Sequence, residues 1–426
     1  MPTVSTLRSL AASEEPKAPI GIAKLAKLAF DGLNLSPIWM ALVERVNRNP
    51  EDAAAFLDLS TIARIQGRQR DSDVLQSHAL ELRRVYHHAA PTPAIDNVRL
   101  LVFKAPGDFM ANLPIEFMLE GAAIAADFVY VLPGTALPDR LPEHDVALVA
   151  IAESDDNQTL LRELASALRY WKCPVINRPE HIACLSRDGT WELLKDAPGV
   201  AMPGNFRIER ARLVAAAAGN ENDNRDGLEG IAYPIVARPI ASHAGNGLQK
   251  LEGATDLTNY LKVQPESEFF ISPFVDYRSA DGQFRKYRIV IVGGRAYACH
   301  MAVSDNWMVH YLNADMRANI ERRAEERRFM ETFDAEFSMT HAEALAAIAE
   351  RARMDYLPID CGEAKDGKLL IFESGTNMIV HSMDPVELFP YKPVQMQKIF
   401  DAFGVMVRRF AGSGLEARRV ISVRSR

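Results

Sequence analysis

From Ile20 to Tyr86 apolar residues recur at three- and four-residue spacing, the period of helices that bury one face. Within Asn49–Tyr86 this predicts a helix over Asp52–Ile65, a break at Gly67 and a second, antiparallel helix over Asp71–Tyr86. His88–Asn97, with Pro91 and Pro93, reads as a linker. The pattern then changes to short apolar runs at Val98–Phe103, Phe128–Leu132, His144–Ala152 and Val175–Asn177, separated by helical stretches at Pro114–Gly121 and Gln158–Trp171. Strands alternating with helices at this spacing predict a small parallel sheet. Further on, Arg187–Leu194 begins a helix, and the Asn/Asp-rich stretch Ala215–Gly230 reads as a surface excursion. Ile231–Ala237, Leu248–Leu251 and Phe269–Val275 read as strands, and Lys286–Val303 as a hairpin around Gly293-Gly294. Asp315–Phe333 is a charged helix with a solvated surface, and Thr340 with Glu343 has capping-box spacing ahead of a helix over Ala342–Arg353. Two last apolar runs, Tyr356–Ile359 and Leu369–Phe372, flank Asp366-Gly367, a pair that predicts a two-residue hairpin turn. A helix over Lys392–Phe410 closes the pattern, and the tail after Ala411 is expected to be mobile.

The last hairpin carries the strongest chemical signal. A two-residue turn at Asp366-Gly367 places Asp360 directly opposite Glu373, and like charges on facing strand positions repel. Such a pair suits a cation between the two carboxylates, and Asn377 adds a hard amide oxygen of the type magnesium accepts. An exposed hairpin with scattered acids is the other reading of the same spacing. The loop Ser242–Gly247 (SHAGNG) lies between two strands, so it is not a P-loop, but Gly245 and Gly247 allow backbone amides to approach an anion closely. Arg238, at the end of the preceding strand, could reach the same anion with its guanidinium fork. Lys286 and Arg288 share a strand face with Val290 and Val292, which suggests an anionic partner. Asp305, Asn306, His310 and Asn313 form a polar cluster near them. His300 and His310 read as packing or hydrogen-bonding groups, because no second His or Cys stands at metal-ligand spacing.

Composition narrows the setting. At 426 residues the chain needs more than one core. A net charge of −7 and no long Lys/Arg block argue against nucleic-acid binding. No apolar run approaches the ~20 residues of a membrane span. The four scattered cysteines read as thiols in a reducing compartment, and Met1–Pro19 lacks the apolar core of a signal peptide, so the expected location is cytoplasmic. There is no G-x-G-x-x-G after the first strand, which speaks against a dinucleotide site.

The order of segments resembles an ATP-grasp enzyme, the superfamily that includes glutathione synthetases, D-alanine–D-alanine ligases and ribosomal-protein glutamate ligases. The resemblance runs from about Val98 to Phe410 and implies an α+β fold: a pre-grasp α/β domain over 98–180 and an ATP-grasp domain over 181–410, whose lid covers about 205–275. YPIVARPIASHAGNG is similar to the strand and loop that cover a triphosphate, implying contacts from Arg238, Ser242, His243, Gly245, Asn246 and Gly247. EFFISPFVD is similar to the hinge, where Phe269, Phe270 and Ile271 would meet adenine through their backbone and Glu268 or Asp276 its amino group or ribose. KYRIVIVGG implies a catalytic role for Arg288 and Lys286 at the transferring phosphate, and Arg187 stands where a phosphate-binding lysine is usual. IDCGEAKDGKLLIFES implies Asp360 and Glu373 as ligands of magnesium, or of manganese in its place. The usual E-x-N motif reads Glu373-Ser374-Gly375 here, with Asn377 as a shifted substitute. The implied reaction is ATP-dependent joining of a carboxylate, on a small molecule or a peptide, to an amine. A degenerate nucleotide-binding scaffold and a kinase-like phosphoryl transfer are the alternatives. Outside this match, the segment 1–90 resembles a single tetratricopeptide unit, with no second copy at a period of 34. One helical pair cannot build a solenoid, so it is left to dock on its neighbour or on a second copy in a homodimer.

Overall fold

The structure, a computed structural model, describes residues 6, 8, 18–89, 98–122, 124–218, 232–240, 242 and 245–424. The chain is α+β with an N-terminal helical segment, and it forms two compact units. One comprises Met1–Ala183, Met354–Tyr356 and Thr376–Arg426; the other comprises Cys184–Arg353 and Leu357–Gly375. Among the described residues no helix is long and apolar enough to cross a membrane.

In the first unit α1 (Ile22–Phe30), α2 (Ser36–Arg48), α3 (Ala53–Ile65) and α4 (Gln69–Leu82) share an apolar core that includes Leu25, Ile38, Leu42, Leu59 and Ile62. Asp52 caps α3 by accepting the Ala55 N–H at 3.0 Å, and Arg45 binds the same carboxylate. The second helix of the expected pair is shorter than its pattern: α4 stops at Leu82, and Val85–His88 form strand β1. Four strands follow, β2 (Leu100–Lys104), β3 (Ala126–Tyr130), β4 (Val146–Val149) and β5 (Val175–Ile176), all mutually parallel where they pair. β2 and β4 are buried along their whole length, which is why they read as unbroken apolar runs. β1 adds to this sheet antiparallel to β3, pairing Val85 with Val129, so the sheet order is β1-β3-β2-β4-β5. Helices α5 (Ile115–Ala122), α6 (Gln158–Leu168) and α7 (Pro179–Ile182) belong to the same unit, as does the last helix, which continues past the expected stop at Phe410 to Arg424. Residues 90–97, most of the expected linker, lie outside the described residues.

The second unit opens with α8 (Arg187–Leu194), β6 (Val200–Ala201), β7 (Phe206–Glu209), α9 (Arg210–Ala217), β8 (Ile235–Pro239), β9 (Gln249–Leu251), α10 (Ala254–Val263) and β10 (Glu268–Pro273). β7, β10, β8 and β9 form an antiparallel sheet whose core is Ile208, Ile235, Leu251, Phe269 and Ile271 against Leu213 of α9 and Leu257, Tyr260 and Leu261 of α10. Residues 219–231, most of the expected surface excursion, are outside the described residues. Next come β11 (Phe284–Val292), β12 (Arg295–Ser304), α11 (Ile320–Thr332), α12 (Phe337–Thr340), α13 (Ala342–Ala352), β13 (Tyr356–Glu363) and β14 (Leu369–Ser374). They build a sheet of order β12-β11-β13-β14-β6, with β6 parallel to β14. The expected capping box does not form. Thr340 belongs to α12 and donates its hydroxyl to Glu336 O at 3.0 Å, while the cap position of α13 is His341, with no side-chain cap bond.

Candidate active site

Asp360 and Glu373 are partners across β13 and β14, the pairing the turn spacing predicts, but the structure reaches it by a different route. Gly367 donates its N–H to Ala364 O at 2.9 Å and has φ +82°, so the loop is Lys365–Gly367, three residues closed by a left-handed glycine. That loop shifts the register by one: Glu363 pairs with Leu369, Gly362 with Leu370 and Cys361 with Ile371. A bulge between Asp360 and Cys361, with Phe372 as the extra residue opposite, shifts it back. The acids face each other because two one-residue irregularities cancel.

Cations from three other elements converge on this pair. Asp360 is 1% exposed. Arg288 of β11 donates to it twice, Nε to Oδ1 at 2.7 Å and Nη2 to Oδ2 at 3.0 Å, and the Lys286 ammonium lies 2.7 Å from Oδ2. Burial pushes the Asp360 carboxyl up, and Arg288 and Lys286 together outweigh it, holding the group well below the ordinary carboxylate range. Arg187, in the first turn of α8, binds Glu373 through one guanidinium nitrogen and the Phe372 carbonyl through another at 3.3 Å. Its helix is anchored by the Ser186 cap and by a Thr190–Ser374 hydroxyl contact of 2.8 Å. Burial opposes ionisation of Glu373 as well, but Arg187, Lys286 and Arg238 keep its pKa lowered. Arg238, in β8, is pulled down to about 10 by burial and then by the nearby Arg187 charge. Four cations against two carboxylates leave a formal excess of two positive charges in one place.

The glycine loop is built from the same strand. Arg238 Nε donates to Ser242 Oγ at 3.2 Å and its Nη2 donates to the Ser242 carbonyl, while Ser242 Oγ donates to Pro239 O at 2.7 Å. Gly247 has φ +66°, and a Cβ there would stand 2.6 Å from Pro239 Cδ, so this position excludes every other residue on two counts. Tyr260 of α10 donates its hydroxyl to Gly247 O at 2.8 Å. Asn246 is exposed, and His243 lies outside the described residues.

No family model and no curated protein matches the sequence. Among solved structures the chain is similar to the VanG D-Ala:D-Ser ligase from Enterococcus faecalis, at 12% identity over 74% of this chain and 100% of that one, with a TM-score of 0.44. It is also similar to a RimK domain ATP-grasp protein from Sphaerobacter thermophilus, at 16% identity over 73% and 99%, with a TM-score of 0.40. A third similar structure is the D-alanine–D-alanine ligase from Coxiella burnetii, at 10% identity over 77% and 99%, with a TM-score of 0.43. At such values the chemistry has to be read from the residues of this chain.

Those residues correct part of the hinge expectation. Phe269, Phe270 and Ile271 sit in the central strand β10, paired with Ile208, Arg207 and Phe206 on one side and with Pro239, Arg238 and Ala237 on the other. Their backbone groups are spent on the sheet and cannot meet a purine base. Pairing with β7 ends at Ile271, so among the described residues that edge is unpaired beyond it, in the half-buried stretch Ser272–Val275. Glu268 faces Glu209 across the ladder. Asp276 is taken by Arg278, at 2.9 Å, and by Lys365 of the β13–β14 turn, at 2.8 Å, rather than held ready for a ribose. The expected polar cluster also divides. Asp305 binds Gln283 and Arg322, and Asn313 is exposed at the end of a short 3₁₀ turn. His310 instead feels the charges of Lys286, Arg288, Asp360 and Glu373, and burial followed by the two cations lowers its pKa. His300 is paired with Arg288 across β11 and β12 and stacks on Tyr311, ring centres 4.6 Å apart. The alternation of β11 could not reveal either histidine, because both stand on the partner strand or on the loop after it. Asn377 lies in the turn after β14, within the chain segment assigned to the first unit.

Proposed function

We propose that this chain is an ATP-dependent ligase of the ATP-grasp type that joins a carboxylate to an amine through an acyl phosphate. The observation that carries the reading is the Asp360–Glu373 pair ringed by Lys286, Arg288, Arg187 and Arg238. A purely structural ion-pair cluster would balance its charges; this one has two positive charges in excess, in a chain of net charge −7. That excess suits a polyanion such as a triphosphate, and the guanidinium forks suit phosphate oxygens. A triphosphate taking Arg187, Arg288 and Lys286 would release two carboxylates that already face each other.

The donor set fits magnesium in one particular way. No group of three or more His, Cys, Asp or Glu side chains able to hold a metal occurs among the described residues. Two carboxylates are what an ion shared with substrate phosphates requires. Asp360 and Glu373 would hold it, and when bound it neutralises charge on the phosphate oxygens. Arg288 and Lys286 would steady the γ-phosphoryl group while a carboxylate oxygen of the substrate attacks phosphorus and ADP leaves. The product of that step is an acyl phosphate. The amine then attacks its carbonyl carbon, inorganic phosphate departs and the amine loses a proton to water. Phosphoryl transfer of this kind depends on positioning and charge stabilisation. The loop around Gly245 and Gly247 would cover the phosphates and exclude water, and Ser272–Val275 offers the free strand edge for the base.

A coupled ADP-release assay across amino acids and short peptides, with mass measurement of the product, tests this. ADP should form only when a carboxylate and an amine are both present, and an amide should appear in equal amount. A second reading has one observation in its favour: Gly375, where the E-x-N motif has asparagine, bonds by its N–H to Pro358 O at 3.2 Å and offers no ligand oxygen from a side chain. In that reading the chain binds nucleotide as a scaffold. Saturable ATP binding with no turnover under any substrate pair would select it.

A further inference from the structure

A cavity of about 70 Å³ lies wholly within the first unit, walled by α3 and α4, by β1 and the ends of β2 and β3, and by the start of α5. The helices that form half of it belong to the N-terminal segment, which the ATP-grasp resemblance does not cover. At its floor Lys104 Nζ and Glu116 Oε1 form an ion pair of 2.5 Å, with the two residues 6% and 4% exposed. The second carboxylate oxygen of Glu116 is buried and has no hydrogen-bond partner among the described residues, and neither does Nε2 of His88. Leaving a buried carboxylate oxygen without a donor is costly, so its persistence marks a place where a donor belongs. Lys104 has three N–H donors and one hydrogen bond, to Glu116, and it rests 4.8 Å from the centre of the Phe128 ring. Asp58, also on the wall, spends its oxygens on the N–H groups of Ile20 and Gly21, at 2.7 and 3.1 Å. The cavity therefore presents one ammonium with donors to spare beside one carboxylate with an acceptor to spare.

That pattern selects against simple ions. An anion drawn to Lys104 meets Glu116, and a cation drawn to Glu116 meets Lys104. A molecule carrying both charges a short distance apart satisfies both, its carboxylate on Lys104 and its ammonium on the free oxygen of Glu116. At about 70 Å³ the cavity is less than half the ~150 Å³ of an engineered cavity that binds benzene, which leaves room for a small molecule only. The wall adds the rings of Phe128 and Tyr130 and polar side chains that are already bonded: Ser60 and Thr61 donate to Leu57 O, Gln76 pairs with the Gly107 backbone, Asn112 with the Ala105 backbone, and Arg64 donates to Gln69 and Asp73. We propose that this cavity binds a small free α-amino acid, glycine or alanine, as its zwitterion between Lys104 and Glu116. The proposal uses no residue of the nucleotide cluster and stands whether or not the chain is a ligase.

Isothermal titration of the full chain without nucleotide tests it. Free glycine or alanine should give saturable heat, while acetate, methylammonium and phenylalanine should give none at the same concentrations. Glu116→Gln should weaken the binding at least tenfold with the far-UV spectrum unchanged. If that variant fails to fold, hydrogen exchange on the wild-type chain decides: free glycine should slow exchange in peptides covering 53–65 and 115–122. No saturable heat on titration to tens of millimolar would mean a cavity filled by water only and would overturn the proposal. Equal binding by a folded Glu116→Gln, protection confined to other peptides, or equally tight acetate or methylammonium would overturn it as well.

Discussion

Asp360 and Glu373 occupy facing positions, yet their surroundings set them different tasks. Asp360 is fully buried under two cations. Asp360→Asn would strip Arg288 and Lys286 of their bonded counter-charge and leave them the more distant Glu373, a loss of about 3–5 kcal/mol by analogy with broken buried pairs. Urea unfolding should register it. Because its folded pKa is depressed, the stability Asp360 contributes is complete above the ordinary carboxylate range and is lost as pH falls below it. The acid limb of the wild-type stability profile should therefore be steeper than that of the variant. Glu373 is half-buried, bonds Arg187 and feels Lys286 and Arg238 from further off, so Glu373→Gln should cost less stability than Asp360→Asn while abolishing ADP formation. Retained turnover in Glu373→Gln would mean the acid is structural. Asp58 shows the opposite linkage. Burial raises its carboxyl from 3.8 to about 7, so between those values the folded chain binds more protons than the unfolded one, and stability declines as pH rises through that window. Asp58→Asn should flatten the decline, measured as urea midpoints at pH 5 and pH 8.

Two glycines separate functional elements from structural ones. Gly247→Ala meets both a left-handed φ of +66° and Pro239 at 2.6 Å, so the loop must move; nucleotide affinity should fall tenfold or more in a binding titration. Gly367→Ala, at φ +82° with open space around it, should cost only the backbone term of about 1–2 kcal/mol and leave turnover unchanged. The same turn shows how far elements are legible in a sequence. Asp366-Gly367 marked a tight turn correctly, but it could not tell two loop residues from three, because both use a left-handed glycine. The compensating bulge did have a local signal in Gly362, a residue that permits one, and it forms next to that glycine, between Asp360 and Cys361. Long buried runs such as Leu100–Lys104 were plain, since they are apolar on both faces. Short ones were not. Val85–His88 looked like the end of a helix, and Val200–Ala201 is a two-residue strand made only by its neighbour β14. Among site residues, charged side chains on apolar faces could be read. The loss of Phe269–Ile271 as base contacts could not, because β10 becomes a central strand only once β7 pairs with it.

For the whole molecule, the residues proposed for nucleotide chemistry and those proposed for the amino-acid cavity fall on different compact units. Each unit has its own buried core, the helical one around Leu25 and Ile62 and the sheet one around Phe269 and Ile271. Ligand binding stabilises the element that binds and not its alternatives, in proportion to the logarithm of occupancy. ATP with magnesium should therefore slow hydrogen exchange in peptides from 184–353 and 357–375, above all in 232–240 and 245–251, where Arg238 and the glycine loop lie. Peptides from 18–89 should exchange at their unliganded rate. Salt offers an independent check on the same site. The excess of two positive charges is held by partly or fully buried groups inside a chain of net charge −7, and buried charges are screened far less than exposed ones. Nucleotide affinity should accordingly weaken by less than tenfold between low and physiological ionic strength. A steep salt dependence would place binding on exposed arginines such as Arg327 and Arg328 of α11 and would remove the Asp360–Glu373 cluster from the mechanism.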